Sequence, residues 1–591
     1  MAARAVALNP ALVVVHGGPS SPKYEADIER FLDTHAPVAH VLARGEGERT
    51  LCELLTVLAT AATGPGTLDG EALATVAGIT YRDPRTGLTV RTVDRERIAD
   101  LDDLPSPYLT GEFDHIPPSA WNVSVAIETN RGCPYGCTFC DWGSATLSRI
   151  RKFSLERVTR EVEWVAARQI PSIQLTDANF GIMARDVETA AAIAAASERT
   201  HFPESLIFCP AKNTTKHLSK IIDILADAAI ASVAALGVQT TDPTTLEAID
   251  RTNIAVDGYV ALAAEHRRRG HALQGELLLG LPEQTYASYR ADLQFMFDHE
   301  IPVRTWSVQL LPNAPMSEPG YRARHRIETD DDNVVISTSS FTQADRDRMF
   351  RLRKVDMMFE TYGLLRHVLR WLQWDHGILA TDVADLVLDV TERSPHRFPH
   401  LTWIVSYFDL QPSPPLGWGA FYDDVRALLI EDLDVAPSTA MDCAFELNQF
   451  LMPAPGRHFP ASIDLPHDYV AYHREATSGL YATGHPGRPD RPLADRGPAR
   501  FTVTADPLRL CEDGLRFAGD SRDEVLQGDF YMATSTANEL LSPLVRLLPH
   551  VIRCLDPAVV QAVLAERRPP VEEATPIEVD LHRRPVASGG R

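Results

Sequence analysis

The chain has 591 residues, of which 45% are hydrophobic and 23% are charged, and its formal net charge is −23. Such fractions are ordinary for a folded globular protein, and the length predicts roughly three to four domains. The negative charge argues against nucleic acid or an anionic membrane surface as a partner. We read no secretory signal and no apolar run of membrane length in the sequence, and we therefore expect a cytoplasmic protein without a membrane partner.

Residues 1 to 118 predict part of a doubly wound α/β sheet, because strand patterns run into glycine turns and then into helical patterns. Glycines at strand ends let a ligand's phosphate approach backbone N–H groups. A dinucleotide site is one alternative, although no G-x-G-x-x-G follows a strand, and tight turns without a ligand are another. The predicted elements are a strand at Ala11–Pro19, a helix at 25–35, a strand at Val38–Leu42, a helix at Leu51–Thr60, a β-hairpin over 76–92 and a proline-stiffened linker over 100–113.

Three cysteines follow the next predicted strand, Trp121–Glu128, on a glycine- and proline-containing loop. Cys133, Cys137 and Cys140 have a C-x3-C-x2-C spacing. Iron–sulfur clusters are normally held by four thiolates, so three would leave one iron open, as catalytic metal sites require. A zinc site is the alternative, but zinc would need a fourth cysteine or histidine nearby, and the next cysteine is Cys209.

Helix and strand patterns alternate from about residue 150 to residue 311, which predicts an open parallel barrel of six β/α repeats with its active site at the carboxyl ends of the strands. Polar residues follow several of these strands. A guanidinium at such a position suits a carboxylate, although a surface ion pair or a helix cap would explain single residues equally well. The candidates are Asp177 and Asn179 after the second strand, Gln239 after the fourth strand, and Arg251 after the helix that follows Gln239.

Residues 346 to 565 predict a mainly helical accessory domain, and the Arg-, Pro- and Glu-rich residues 566 to 591 predict a disordered tail. One long amphipathic helix is predicted over Gln343–Leu372, a strand over Phe501–Pro507 and a late helix over Asn538–Leu555.

The cysteine loop, residues 129 to 146, resembles the signature of the radical S-adenosylmethionine (SAM) superfamily. The resemblance implies that Cys133, Cys137 and Cys140 bind a [4Fe–4S] cluster and that SAM chelates the fourth iron. It also implies that Phe139 packs near the adenine of SAM. It further implies SAM contacts at Asp177, Asn179, Gln239, Arg251 and Glu276.

The two amino-terminal turns resemble the carboxyl-terminal half of the cobalamin-binding domain that precedes many radical SAM modules. The matching residues are Gly17-Gly18-Pro19 and Gly45-Glu46-Gly47-Glu48, which implies cobalamin contacts at Gly17, Gly18, Gly45 and Glu46. That family domain begins with further β/α units, and this chain starts inside the helix before its fourth strand. Either the true start lies upstream, or the remnant packs differently and does not enclose cobalamin.

The strand and helix patterns and these resemblances together predict an α/β protein with a partial (β/α)6 radical SAM barrel. The barrel, residues 119–345, is expected between a partial doubly wound, cobalamin-binding-like domain at 1–118 and the helical domain at 346–565, which the tail at 566–591 follows.

The runs Cys140–Gly143 and Asp177–Gly181 resemble those of cobalamin-dependent radical SAM methyltransferases of natural-product pathways. That resemblance implies a 5′-deoxyadenosyl radical that activates an unreactive carbon, and methylcobalamin as the methyl donor. It implies a small-molecule or carrier-bound substrate and an electron donor such as a flavodoxin or ferredoxin. Two alternatives remain: a cobalamin-independent radical SAM enzyme that performs oxidation, epimerisation or rearrangement, and a non-catalytic iron–sulfur scaffold or redox sensor.

Overall fold

The structure is a computed structural model. It describes residues 2–19, 21–22, 24–35, 38–60, 68–117, 124–142, 149–211, 216–251, 256–268, 272–361, 363–410, 419–451, 458 and 460–503. The predicted helix Asn538–Leu555 and the predicted tail from residue 566 lie outside the described residues.

The amino-terminal part forms a four-stranded sheet in the order β1-β2-β3-β4, with β1 and β2 parallel and the hairpin β3–β4 antiparallel. The hairpin therefore covers one edge of the two parallel strands that the sequence predicted. The elements are α1 (Ala2–Leu8), β1 (Val15–His16), α2 (Glu25–Thr34), β2 (Val41–Ala43), α3 (Gly47–Thr60), α4 (Gly70–Leu73), β3 (Ile79–Arg82) and β4 (Thr89–Arg91).

The central part is a six-stranded, all-parallel sheet in which neighbouring strands follow one another in sequence. Helices connect the strands, so the predicted α/β class and the six parallel strands are confirmed. The sheet strands are β5 (Ser124–Ile127), β8 (Ser172–Leu175), β9 (Ser205–Ile207), β10 (Ala231–Gln239), β11 (Ala272–Leu279) and β12 (Val303–Ser307), and β6 (Asn130–Arg131) pairs with β7 (Arg151–Lys152) beside them.

Local signals set the ends of the connecting helices. Ser154 caps the helix α5 (Leu155–Ala167) by accepting from the N–H of Arg157, and Asp242 caps α8 (Pro243–Ala248), which starts with a proline. The other connecting elements are α6 (Arg185–Thr200), α7 (Leu218–Asp227), α9 (Val256–Arg268), α10 (Tyr286–Asp298), α11 (Pro319–His325), β13 (Glu328–Thr329) and β14 (Val335–Ser337).

The carboxyl-terminal part is mainly helical, as predicted. The prediction of a single long helix over Gln343–Leu372 is wrong. Helix α12 (Gln343–Asp356) continues as a π-helical turn to Thr361, and α13 (Arg366–Trp371) starts after Gly363, whose φ is +74°. Glycine adopts that conformation without steric cost, and it ends the first helix. The remaining elements are α14 (Ala380–Arg393), α15 (Pro399–Leu410), α16 (Gly419–Asp432), α17 (Thr439–Leu451), β15 (Ala461–Leu465), α18 (Tyr469–Ala482) and β16 (Ala499–Val503), which pairs with β15.

One hydrophobic cluster runs without interruption from the parallel sheet into the carboxyl-terminal helices, from Val125 on β5 to Phe501 on β16. The amino-terminal sheet has small clusters of its own, such as that of Val41, Leu54 and Ile79. Among the residues that the structure describes, no helix is both long and apolar enough to cross a bilayer.

Candidate functional site

The cysteine loop begins and ends on a two-stranded clamp. Asn130 and Arg131 of β6 pair with Lys152 and Arg151 of β7, so the loop leaves and returns at one place. Gly132, the next residue, has a φ of +121°, and a Cβ there would lie 2.6 Å from the carbonyl oxygen of Arg149. Glycine is therefore required where the loop starts, one residue before the first cysteine.

Asp177 fixes the entry to this loop from the end of the neighbouring strand β8. Its carboxylate accepts hydrogen bonds from the backbone N–H of Thr129 at 2.8 Å and from the backbone N–H of Asn130 at 3.2 Å. The Asn130 amide adds a third bond at 2.7 Å, and the Thr129 hydroxyl donates a fourth. Complete burial raises the pKa of Asp177 to about 6, against the effect of these donors. The predicted SAM contact Asp177 thus orients the loop backbone.

Asn179, two residues further on, reaches the first cysteine. Its Nδ2 lies 3.2 Å from the Sγ of Cys133, a distance at which the amide donates to sulfur. The Oδ1 atom of Asn179 is buried, and no donor of the described structure forms a hydrogen bond to it. A buried amide oxygen without a donor is costly and indicates a missing ligand or water. This orphaned atom beside a cysteine fits the amino group of a SAM-like ligand.

Arg251 reaches the second cysteine. Its Nη1 lies 3.7 Å from the Sγ of Cys137, and its Nη2 donates to the carbonyl oxygen of Gly237 on β10. The backbone N–H of Thr138 donates to the carbonyl oxygen of Ile249 at 3.0 Å, which holds the same part of the loop against the segment that carries Arg251. The structure therefore brings Arg251 to the cysteine loop.

The other predicted SAM contacts occupy strand ends and the loop. Gln239 is the buried last residue of β10, at a register irregularity between β10 and β11 and with a φ of +66°. Such bulges re-aim side chains near functional sites. Glu276 is half-buried on β11, in register with Arg304 of β12, and Phe139 is half-buried against the main core.

Cys133, Cys137 and Cys140 form no disulfide among the described residues, and the described His, Cys, Asp and Glu side chains include no group of three or more that could hold a single metal ion. A single ion draws all its sulfur ligands to about 2.3 Å from one point, whereas thiolates of an iron–sulfur cluster are distributed over several irons. The assignment of Cys133, Cys137 and Cys140 as cluster ligands stays a prediction, and their thiolate chemistry fits iron–sulfur ligation.

A cavity of about 660 Å³ separates the cysteine loop from the amino-terminal sheet. Its volume lies within the range of cofactor sites. Gly18 and Gly45 line it with φ angles of +77° and +73°, and a Cβ at either position would meet no atom within 4 Å. Gly17 is not among its lining residues, which from the loop side include Asn130, Arg131, Gly132, Asp141, Trp142, Thr176 and Ala178.

Glu46, the remaining predicted cobalamin contact, also lines the cavity but is engaged in a charge cluster. Its carboxylate accepts from Arg151 of the clamp at 2.6 and 3.0 Å and from the N–H of Ile98 at 2.7 Å. Burial alone would raise its pKa, but these donors outweigh burial and lower the pKa of Glu46. Glu46 thus joins the amino-terminal sheet to the cysteine loop.

Sequence reasoning missed Arg151 and Asn313. Arg151 lies near the loop in sequence, yet its partner Glu46 is 105 residues away. Asn313 lies in the segment that follows β12, and it contacts the turn that follows β1. No local pattern distinguishes such long-range contacts.

Comparisons with known proteins agree with this geometry. Residues 127–296, from the end of β5 to α10, match the family model of the radical SAM superfamily. This segment is therefore a radical SAM domain.

The chain is also similar to two curated methyltransferases. One is TokK of Streptomyces tokunonensis, named a cobalamin-dependent radical SAM methyltransferase, which is 37% identical over 441 residues, or 72% of this chain and 61% of TokK. The other is 2-(S-pantetheinyl)-carbapenam-3-carboxylate methyltransferase of Streptantibioticus cattleyicolor, 33% identical over 365 residues, or 61% of this chain and 50% of the relative. The chain thus spans between half and two thirds of the length of these relatives.

Among solved structures, the cobalamin-dependent SAM radical enzyme OxsB matches 76% of this chain and 72% of its own at 15% identity and a TM-score of 0.45.

Proposed function

We propose that this chain is a radical SAM enzyme that methylates an unactivated carbon of a secondary metabolite with cobalamin as methyl carrier. We also infer the three-part architecture: a cobalamin-binding-like part at 1–118, the barrel at 119–345 and a helical accessory part at 346–565. The observation that carries the proposal is the cavity between Gly18, Gly45 and Glu46 on one side and the cysteine loop on the other.

Cys133, Cys137 and Cys140 would hold the [4Fe–4S] cluster through their thiolates. Phe139, Asn179, Gln239, Arg251 and Glu276 would hold SAM, and Gly17, Gly18, Gly45 and Glu46 would border the corrinoid. The bound cofactors would supply a 5′-deoxyadenosyl radical and a transferable methyl group. The chain's own contribution is positioning: Asp177 fixes the entry of the cysteine loop, and Glu46 fixes the loop's clamp against the amino-terminal sheet.

The relatives support a substrate class. The name of the Streptantibioticus relative describes a pantetheinyl carbapenam carboxylate, and we infer a small or carrier-bound substrate of that kind. A low-potential reductant such as a flavodoxin or ferredoxin would supply electrons.

The test is anaerobic reconstitution of the full chain with iron, sulfide and hydroxocobalamin. SAM labelled in its methyl group, dithionite and 2-(S-pantetheinyl)-carbapenam-3-carboxylate are then added. We expect 5′-deoxyadenosine and a labelled, methylated product by mass spectrometry. Both should vanish in Cys137→Ala and persist in Cys52→Ala, which removes an exposed cysteine of α3.

The outcomes separate the alternatives. Cleavage of SAM without any corrinoid binding or labelled product would favour a cobalamin-independent radical SAM enzyme. A cluster that forms but releases no 5′-deoxyadenosine would favour a redox sensor or scaffold. Absence of a four-iron centre in the wild-type chain would overturn the proposal altogether.

A further inference from the structure

We propose that Asn179 and Arg251 act as hydrogen-bond donors to the cysteine thiolates and so set the reduction potential of the cluster. This inference rests on the proposed function, because it requires a cluster on Cys133 and Cys137. It gives these two side chains a second role beside the SAM contacts of the proposed function.

The first donor is the amide of Asn179, which is 3% exposed. Its backbone is held because the next residue, Phe180, donates its N–H to the carbonyl oxygen of Cys209 at 2.8 Å and accepts from the N–H of Ala211 at 2.8 Å. A thiolate can only accept hydrogen bonds, so the amide must present Nδ2, and not Oδ1, to the sulfur of Cys133 at 3.2 Å. The amide is therefore pre-oriented toward the sulfur.

The second donor is the guanidinium of Arg251, which is 7% exposed. One of its nitrogens is anchored on the carbonyl oxygen of Gly237, which leaves Nη1 directed at Cys137 Sγ at 3.7 Å. The hydrogen bond from Thr138 to Ile249 keeps the cysteine beside the arginine. The guanidinium of Arg251 therefore brings a positive charge as well as a donor to the sulfur.

Both contacts favour the electron-rich form of a cluster. Hydrogen bonds to the sulfurs and nearby charge are among the properties that set the potentials of iron–sulfur clusters. Reduction adds negative charge, which the two donors stabilise, and the low dielectric around buried groups strengthens that effect. The donors should therefore raise the midpoint potential, and their removal should lower it.

The experiment measures the midpoint potential of the reconstituted full chain by a redox titration followed by electron paramagnetic resonance, without SAM. Asn179→Leu keeps the approximate size of the side chain and removes the donor. We expect reduction to become about tenfold less favourable, a fall of about 59 mV for a one-electron couple. Arg251→Met should lower the potential at least as far, and Arg251→Lys should restore part of the shift because it retains the charge. The matched control is Arg393→Met, a largely exposed arginine of α14 in an ion pair with Asp389.

Iron and sulfide analysis accompanies each titration. If Asn179→Leu fails to take up a cluster, Arg251→Met and Arg251→Lys still report the effect. Wild-type potentials in Asn179→Leu and Arg251→Met with full clusters would overturn the inference and leave the proposed function intact. A wild-type chain without a cluster would instead defeat the proposed function.

Discussion

The side-chain amide of Asn313 donates to the carbonyl oxygens of Pro19 and Ser21, at 2.9 and 2.8 Å, across almost the whole amino-terminal half of the chain. Three residues later, the N–H of Met316 donates to the carbonyl oxygen of Thr138 inside the cysteine loop at 2.8 Å. One short segment after β12 therefore holds both the turn that borders the cavity and the loop on its other side.

We expect Asn313→Leu to loosen the amino-terminal turn, because two carbonyl oxygens lose their donor at a buried site. The local cost should be about 1–3 kcal/mol. Hydrogen exchange followed by mass spectrometry should show faster exchange around residues 15–22. Asn9→Leu, at an exposed position in the same part of the chain, should leave that exchange unchanged. Equal exchange in Asn313→Leu and the wild-type chain would show that the hydrogen bonds of Asn313 do not stabilise the turn.

Much of the fold was predictable from sequence because its signals are local. Helix α5 illustrates this, since an amphipathic pattern directly follows the capping residue Ser154. The prediction of one long helix over Gln343–Leu372 was wrong. The apolar pattern continues through Gly363, but the backbone takes a left-handed conformation at that residue and the helix ends.

The site was predictable only in part. Spacing located Cys133, Cys137 and Cys140 on one loop, but no spacing indicates that Asn179 points at one thiol and Arg251 at another. Those contacts depend on the order of strands in the sheet, which places the ends of β8 and β10 at the same edge.

A second prediction concerns Glu46, which links the amino-terminal sheet to the clamp. Because its pKa is lowered in the folded chain, its ionised form adds stability above the pKa of an unfolded glutamate, and this stability is lost as pH falls through the lower folded value. In a double-mutant cycle of Glu46→Gln and Arg151→Met, we expect a coupling of about 1–2 kcal/mol near pH 7 that disappears in acid. Chemical denaturation at several pH values measures it, and a pH-independent coupling would contradict the ionic account.

A third prediction follows from Asp177, whose pKa is raised to about 6 by burial. The effect of pH on stability is opposite to that for Glu46, because the folded chain binds the Asp177 proton more tightly than the unfolded chain does. The contribution of Asp177 to stability therefore falls as pH rises from about 4 to about 6, and it is constant above that range. Between about pH 4 and about pH 6, the wild-type chain should lose about 3 kcal/mol of stability at most relative to Asp177→Asn, which has no carboxyl group to titrate at this position. Denaturant titrations of both chains from pH 4 to pH 7 measure it. A relative stability of the wild-type chain that grows with pH would show that the hydrogen bonds from Thr129 and Asn130 outweigh burial.

The last prediction concerns Gly132, at the start of the cysteine loop. Gly132→Ala places a methyl group 2.6 Å from the carbonyl oxygen of Arg149 and forces a residue with a side chain to a φ of +121°. The strain should cost about 1–3 kcal/mol locally and separate β6 from β7. Because these strands form the clamp on which the loop closes, we expect lower iron uptake per chain during reconstitution. The control is Gly87→Ala. Gly87 is a hairpin glycine whose φ is also positive, at +70°, but a Cβ there would meet no atom within 4 Å. Iron uptake should fall in Gly132→Ala and stay at the wild-type level in Gly87→Ala, and equal uptake in both would show that the close approach to Arg149 does not constrain the loop.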